Sequence, residues 1–138
     1  MQQQANARRT LRRLKPKAER VVENRGRALK LADSAYQKFR KEKGSLRKLA
    51  GSLPVLIRLL RSWAKREYRT VPWRTVVLIA AGILYFVNPF DLVPDVLTGI
   101  GFVDDLSVLT AVLAAVQGEV EKFEAWEAER GGSEAPPA

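Results

Sequence analysis

Residues 76–87 read Val-Val-Leu-Ile-Ala-Ala-Gly-Ile-Leu-Tyr-Phe-Val, twelve residues without a charged side chain. As a helix this run is about 18 Å long, at a rise of 1.5 Å per residue. The hydrocarbon core of a bilayer is about 30 Å thick, so the run alone is too short to cross it. Trp73 and Arg74 stand just before the run, where an aromatic and a cationic side chain would anchor a helix at a membrane interface. The run predicts one arm of a helical hairpin.

A second apolar run, residues 106–116, follows after a connecting segment that contains two prolines and two glycines. Proline and glycine interrupt helices and favour turns, so the two runs predict a hairpin. Extending both arms across a bilayer would draw the aspartates of the connecting segment into lipid, at about 2.5–3.5 kcal/mol each. The pattern therefore favours a shallow re-entrant hairpin, or a hairpin whose acidic side chains face protein. These aspartates are Asp91, Asp95, Asp104 and Asp105.

The connecting segment and the residues before it form a spaced motif. An apolar run containing tyrosine is followed by Pro-x-Asp-x-x-Pro-Asp, an apolar spacer and Gly-x-x-Asp-Asp. In this pattern residues 70–115 resemble the YkvA-like family of small bacterial proteins, a domain of unknown function. The resemblance implies an all-helical, membrane-associated domain and no particular activity, and the basic first half of the chain lies outside it. The matching positions are Tyr85, Pro89, Asp91, Pro94, Asp95, Gly101, Asp104 and Asp105.

Lysine and arginine are concentrated in the first half of the chain. Residues 1–70 hold 21 of them against five acids, whereas residues 71–138 hold three against ten, for a net charge of +9. A basic half of this kind predicts an anionic partner: a lipid surface, a nucleic acid or an acidic protein. No nucleic-acid recognition motif is present, so binding to nucleic acid would be non-specific attraction to phosphate. A solvated basic face without a partner is the remaining alternative.

The basic half predicts a flexible arm and two amphipathic helices. Residues 1–17, with four arginines and no acid, are predicted to be the arm. Apolar residues at helical spacing predict one helix from Ala18 to about Phe39 and another from about Leu53 to Tyr68. The second helix sets an apolar stripe opposite lysine and arginine, as in a helix at a membrane interface, unless the stripe packs on the protein's own core. The predicted membrane or anion contacts are Leu56, Ile57, Leu60, Trp63, Arg58, Arg61, Lys65, Arg66, Trp73 and Arg74.

The last helix is predicted to begin near Asp104 and to continue through Phe123 or beyond, because apolar residues recur every three or four positions. Its C-terminal part is acidic, with five glutamates from Glu119 to Glu129. These carboxylates are candidate partners for the basic helices, as an intramolecular alternative to an external anion. Residues 131–138 are predicted to form a disordered tail.

The residue inventory restricts the chemistry of the protein. The chain has no cysteine and no histidine, which excludes disulfides, thiol nucleophiles, Cys/His zinc sites and Ser-His-Asp triads. The motif aspartates are interpreted first as helix caps or as partners of arginines. Because carboxylate oxygens bind Mg²⁺ and Ca²⁺, the alternative is a divalent-cation site, and with it a metal-dependent enzyme. Its ligands would be Asp91, Asp95, Asp104 and Asp105.

Together these patterns predict an all-α protein of four to five helices, in which the C-terminal apolar hairpin packs with basic amphipathic helices. The predicted boundaries are the basic arm over 1–17, amphipathic helices over 18–69, the YkvA-like hairpin domain over 70–130 and the tail over 131–138. We expect no catalytic residue and no cofactor. The predicted function is interaction or scaffolding at an anionic membrane surface, on the cytoplasmic face. The alternatives are the metal-dependent enzyme and a soluble helical module that binds nucleic acid or an acidic protein; the oligomeric state stays open.

Overall fold

The computed structural model describes residues 2–41, 52–87 and 105–131 of the chain. In these three ranges the backbone forms five helices and no strand, so the all-α prediction is confirmed. The helices are α1 (Gln2–Val22), α2 (Arg25–Lys41), α3 (Leu53–Ala64), α4 (Trp73–Val87) and α5 (Asp105–Gly131).

Helix α4 is the centre of the fold and consists mostly of the apolar run. Ten of its residues between Val76 and Phe86 are buried, and they occupy every side of the helix. The other four helices all pack on α4. A helix that is apolar all round needs cover all round, and here the neighbouring helices provide it. None of the described helices is both long enough and apolar enough to cross a membrane.

Residues 2–17 are helical, which corrects the prediction of a flexible basic arm. Helix α1 continues through Pro16 and packs mainly on α4. Its buried residues Leu11, Leu14 and Ala18 recur every three or four positions. Proline costs a helix one backbone hydrogen bond, but Pro16 is exposed and the packing of a continuous apolar face outweighs that cost. The arginines of this segment lie on the sides of a packed helix.

The predicted helix from Ala18 to Phe39 is two helices, because the chain turns at Glu23 and Asn24. The side-chain Oδ1 of Asn24 accepts a hydrogen bond from the backbone N–H of Arg27 at 3.0 Å. This is the bond made by an N-terminal helix cap, and asparagine is among the residues that favour the position. The cap starts α2 in a new direction, in which it packs against α3.

Helix α5 begins and continues as predicted, and its backbone departs from helical geometry at Val116, with φ −113° and ψ 16°. One continuous core runs from Ala7 to Phe123. The basic half and the apolar hairpin therefore share a core across the predicted boundary at residue 70. The buried positions of α5 are Val108, Leu109, Val112, Val116, Val120 and Phe123.

Helix α3 ends four residues before Tyr68, the predicted end. The backbone N–H of Glu67 donates to the carbonyl of Ser62 at 2.9 Å, and that of Arg66 donates to the carbonyl of Trp63 at 3.0 Å. These two bonds define a Schellman motif, whose left-handed position is usually occupied by glycine. Arg66 holds that position with φ 65°. The turn returns Tyr68 to the core.

Replacing Arg66 by glycine is expected to raise the free energy of unfolding by about 1 kcal/mol. A non-glycine residue in the left-handed region costs about 1–2 kcal/mol, and glycine loses part of that gain through its greater freedom in the unfolded chain. Urea unfolding followed by circular dichroism measures the change. The control is Lys65→Gly, at φ −83°, which is expected to be destabilising. If the free energy of unfolding of Arg66→Gly is equal to or lower than that of Lys65→Gly, the assignment of Arg66 to the left-handed position is contradicted.

Candidate functional site

The apolar stripe of α3 faces the protein interior. Leu56, Ile57, Leu60 and Trp63 are all buried, with at most 7% of any of these residues exposed. Helix α3 packs on α2, α4 and α5, so the protein itself covers the stripe. The predicted contact of these four side chains with lipid is therefore wrong for this fold. A stripe shows that a helix has a buried face but does not show what covers it.

Two of the predicted anion contacts are paired with carboxylates of the same chain. Arg58 donates to both carboxylate oxygens of Glu127, from Nε at 2.8 Å and from Nη2 at 3.1 Å. Arg61 donates from Nη1 to Oδ1 of Asp33 at 3.1 Å. The expected meeting of α5 glutamates with the basic helices is confirmed for Glu127. Arg58 and Arg61 would have to leave these partners to bind an external anion.

The remaining predicted cations, Lys65, Arg66 and Arg74, are exposed. Burial lowers the pKa of the Arg25 guanidinium, and the positive charges of Arg66 and Arg69 lower it further. An arginine remains charged at neutral pH in spite of such a change. The turn between α3 and α4 therefore carries an accumulation of positive charge.

Arg25, the first residue of α2, connects this turn to the aromatic side chains. Its Nη1 donates to the carbonyl of Trp63, and its guanidinium carbon lies 4.4 Å above the centre of the Trp63 ring. The Trp63 and Trp73 rings follow, with centroids 6.1 Å apart. Stacking of guanidinium on indole holds both groups in place. No local pattern of the sequence singles out Arg25, because its partner Trp63 lies on another helix.

A groove of about 1240 Å³ opens between α1, α4 and α5. Trp73 lines the groove, and 47% of its surface is exposed. It is one of the two large hydrophobic side chains that are exposed among the described residues. The rest of the apolar lining is made of small or medium side chains, so the groove is open along its floor. These residues are Leu11, Val77, Leu78, Ala81, Ala111, Ala114 and Ala115.

The polar lining of the groove is strongly basic. Four cations, one carboxylate and one hydroxyl line it, and all four cations are exposed. The three from α1 share a face with Leu11, at a spacing that a helical reading of residues 8–15 would have revealed. Arg74, the one predicted from the sequence, comes from α4. The polar lining is Arg8, Arg12, Lys15, Arg74, Glu19 and Thr110.

Lys38 is a further residue that the sequence did not single out. Its Nζ donates to the carbonyl of Phe86 at 2.7 Å and lies 5.1 Å from the centre of the Phe86 ring. Phe86 is in the last turn of α4, where free carbonyls and the helix dipole favour a cation. Lys38 thus caps the central helix from α2.

The motif aspartates Asp91, Asp95 and Asp104 lie outside the described residues, as do Pro89, Pro94 and Gly101. Asp105 begins α5, and nothing of its side chain is described. The described side chains contain no group of three or more acidic residues arranged to hold a metal ion. Tyr85, the first residue of the motif, is buried in α4. The divalent-cation hypothesis therefore stays a prediction.

The fold and the groove define a small all-α protein, built around one apolar helix and carrying a groove with an apolar floor and basic sides. The family described as "Protein of unknown function (DUF1232)" matches residues 75–111. Over 74 residues the chain is 35% identical to the "Uncharacterized membrane protein YkvA" of Bacillus subtilis (strain 168), covering 54% of this chain and 70% of that protein. No solved structure matches. The chain belongs to the YkvA-like family of proteins of unknown function, as its motif predicted.

Proposed function

We propose that this protein is a non-catalytic, membrane-associated interaction protein that attaches to an anionic membrane surface by the face containing α1 and the beginning of α4. The observation that carries the proposal is Trp73, exposed beside Arg74 at a groove whose other cations come from α1. An exposed tryptophan next to arginine is the combination that anchors proteins at the level of lipid headgroups. The relative YkvA is described as a membrane protein, which supports the same assignment.

The attachment is electrostatic at long range and apolar at contact. A basic residue close to an anionic membrane contributes about 1 kcal/mol, and the attraction falls off within a Debye length of the surface. Trp73 contributes an amphipathic ring that enters the headgroup region. The cytoplasmic leaflet is the side that carries the negative surface potential, so the proposed location is the cytoplasmic face. In this role the membrane-attached protein binds a protein partner or serves as a scaffold. No catalytic residue or cofactor is assigned.

The proposal is tested by flotation of the purified protein with vesicles of phosphatidylglycerol and phosphatidylcholine, over a series of salt concentrations. We expect recovery with anionic vesicles, little with neutral ones, and loss of recovery as salt rises towards 1 M, where the Debye length is about 3 Å. The double variant Arg12→Gln/Arg74→Gln is expected to lose about 2 kcal/mol of binding, or roughly 30-fold in the partition coefficient.

The matched control is Lys17→Gln/Arg20→Gln, which removes the same charge from exposed positions of α1 outside the groove. We expect the control to weaken binding several-fold less than the groove variant. Equal losses would mean that binding depends on net charge and not on this face. No flotation under any condition would overturn membrane attachment and favour the alternative of a soluble module that binds nucleic acid or an acidic protein.

A further inference from the structure

The floor of the groove is too open and too apolar to be explained by attraction to a charged surface alone. Its volume of about 1240 Å³ exceeds the roughly 300–1,000 Å³ of most small-molecule sites. Helix α5 presents alanines at positions 111, 114 and 115, two of them exposed, and α4 presents Leu78 and Ala81. These side chains line a channel of alkyl groups but fill little of it. An elongated apolar group fits such a space.

The charges beside the floor indicate the chemistry of the polar end of the ligand. Arg8, Arg12 and Lys15 lie along one side of α1, and Arg74 comes from α4, against the single carboxylate of Glu19. No hydrogen bond or ion pair of these four cations appears among the described residues. A molecule that fits both features has an apolar chain and an anionic head. Trp73, half exposed at the lining, adds the kind of ring that is found where chains meet headgroups.

We infer that the groove binds a single anionic lipid, with an acyl chain along the floor and the headgroup phosphate or carboxylate on the four cations. The inference rests on the proposed function and deepens it. The face that contacts the membrane would also bind one lipid molecule from that membrane in its groove. Charge complementarity favours this occupant over a zwitterionic lipid. A second copy of this chain that met this one groove to groove would bring the same positive charge and be repelled.

The test uses the full-length protein and a single-chain probe, palmitoyl lysophosphatidylglycerol, below its critical micelle concentration. Titration calorimetry is expected to give one bound lipid per chain. The zwitterionic lysophosphatidylcholine of the same chain length is expected to bind at least tenfold more weakly, and inorganic phosphate to show no saturable binding. The last two probes separate the contribution of the headgroup charge from that of the chain.

Two variants separate the groove from the membrane surface. Ala114→Trp places an indole in the floor from an exposed position, and it is expected to weaken lysophosphatidylglycerol binding at least tenfold. Flotation with anionic vesicles is expected to be no weaker than that of the wild-type protein, because Trp73 and the groove cations are unchanged and an added indole does not reduce affinity for a membrane interface. Ala125→Trp adds the same side chain at an exposed position of α5 outside the groove, and it is expected to change neither. Thermal unfolding by circular dichroism checks that both variants are folded.

The outcomes distinguish the two proposals. Flotation without saturable lysolipid binding, or equal binding by Ala114→Trp and the wild-type protein, overturns the lipid inference and leaves membrane attachment standing. Lysolipid binding without flotation supports the groove and overturns attachment to the surface. Sedimentation that shows a dimer, and a monomer on Ala114→Trp substitution, would identify a second copy as the occupant and also overturn the inference.

Discussion

Replacing Phe123 by alanine is expected to lower the free energy of unfolding by about 4 kcal/mol, because truncation of a buried phenylalanine loses transfer free energy and leaves a cavity. Phe123 is fully buried in α5. Its ring lies edge-on to Tyr68 with centroids 5.1 Å apart and stacks on Trp126 at 5.6 Å. Aromatic pairs of this geometry add to the stability that burial gives.

The position of Phe123 explains why the loss should be large for the whole fold. Helix α5 departs from helical geometry at Val116, so the residues that follow are held to the rest of the protein by their own contacts. Phe123 and Val120 supply the buried ones, and the Arg58–Glu127 pair is exposed, where an ion pair contributes at most about 1 kcal/mol. Without Phe123 the second half of α5 loses its principal attachment.

The measurement is urea unfolding followed by far-ultraviolet circular dichroism. Phe123→Leu keeps most of the volume and is expected to lose about 1–1.5 kcal/mol, so it reports on the site even where the alanine variant is unfolded. The control Lys122→Ala removes an exposed neighbour and is expected to stay within about 0.5 kcal/mol of the wild-type protein. A loss below 1.5 kcal/mol for Phe123→Ala would mean that this part of α5 is not packed as described.

Replacing Gly82 by valine is expected to lower the free energy of unfolding by about 3 kcal/mol through overpacking between α4 and α5. A Cβ atom at Gly82 would lie 2.8 Å from Cγ2 of Val112 and 3.7 Å from Cδ2 of Leu109. Val112 is fully buried and cannot move its methyl group into solvent. Glycine is therefore used here for close approach of two helices, at the expense of helix propensity.

A double-mutant cycle identifies the contact. Val112→Ala alone is expected to cost about 2 kcal/mol by loss of buried methyl groups. The combination Gly82→Val/Val112→Ala is expected to be more stable than the sum of the two changes predicts, by about 1.5 kcal/mol, because the new methyl groups occupy the vacated space. Strict additivity would show that the two side chains do not meet.

The control for Gly82 is Gly118→Val on α5. A Cβ atom at Gly118 would meet no other atom within 4 Å. The substitution is therefore expected to raise stability slightly, by a few tenths of a kcal/mol, through helix propensity alone. Loss of stability at Gly118 comparable to that at Gly82 would remove the case for a specific close contact.

The helices themselves were largely predictable from local patterns. The apolar run of α4 and the spaced apolar residues of α5 predict helices, and both helices are found where they were expected. The beginning of α3 near Leu53 and the start of α5 near Asp104 also follow from local signals. The exceptions are local as well, since Asn24 is a recognisable cap that divides the predicted first helix.

Residues 2–17 show how a local reading fails. Four arginines, Pro16 and the absence of acids indicated a flexible arm, because like charges repel one another along a helix and proline interrupts it. Helix α1 forms because Leu11 and Leu14 are buried in packing that α4 provides. The stabilising partner lies about 60 residues further along the chain, and tertiary packing supplies most of the stability of helices in proteins.

The candidate site could be predicted only in part for the same reason. Trp73 and Arg74 stand out in the sequence because they precede an apolar run, and both line the groove. The cations opposite them belong to α1, and the alanines of the floor to α5, so no local pattern joins them. The apolar stripe of α3 was assigned to lipid and is buried instead, which no property of the stripe could have revealed.

The sequence alone determines three properties of this protein. The spacing of apolar residues and the capping residues make it helical, the same spacing defines the apolar face of each helix, and the distribution of lysine and arginine makes its first half basic. The assembly of the helices determines which apolar faces meet protein, which cations pair with carboxylates and which cations line a groove. The physical reason is that burial and ion pairing depend on neighbours in space: Leu56 is covered by other helices and Arg58 is held by Glu127, whereas Trp73 remains exposed beside Arg74.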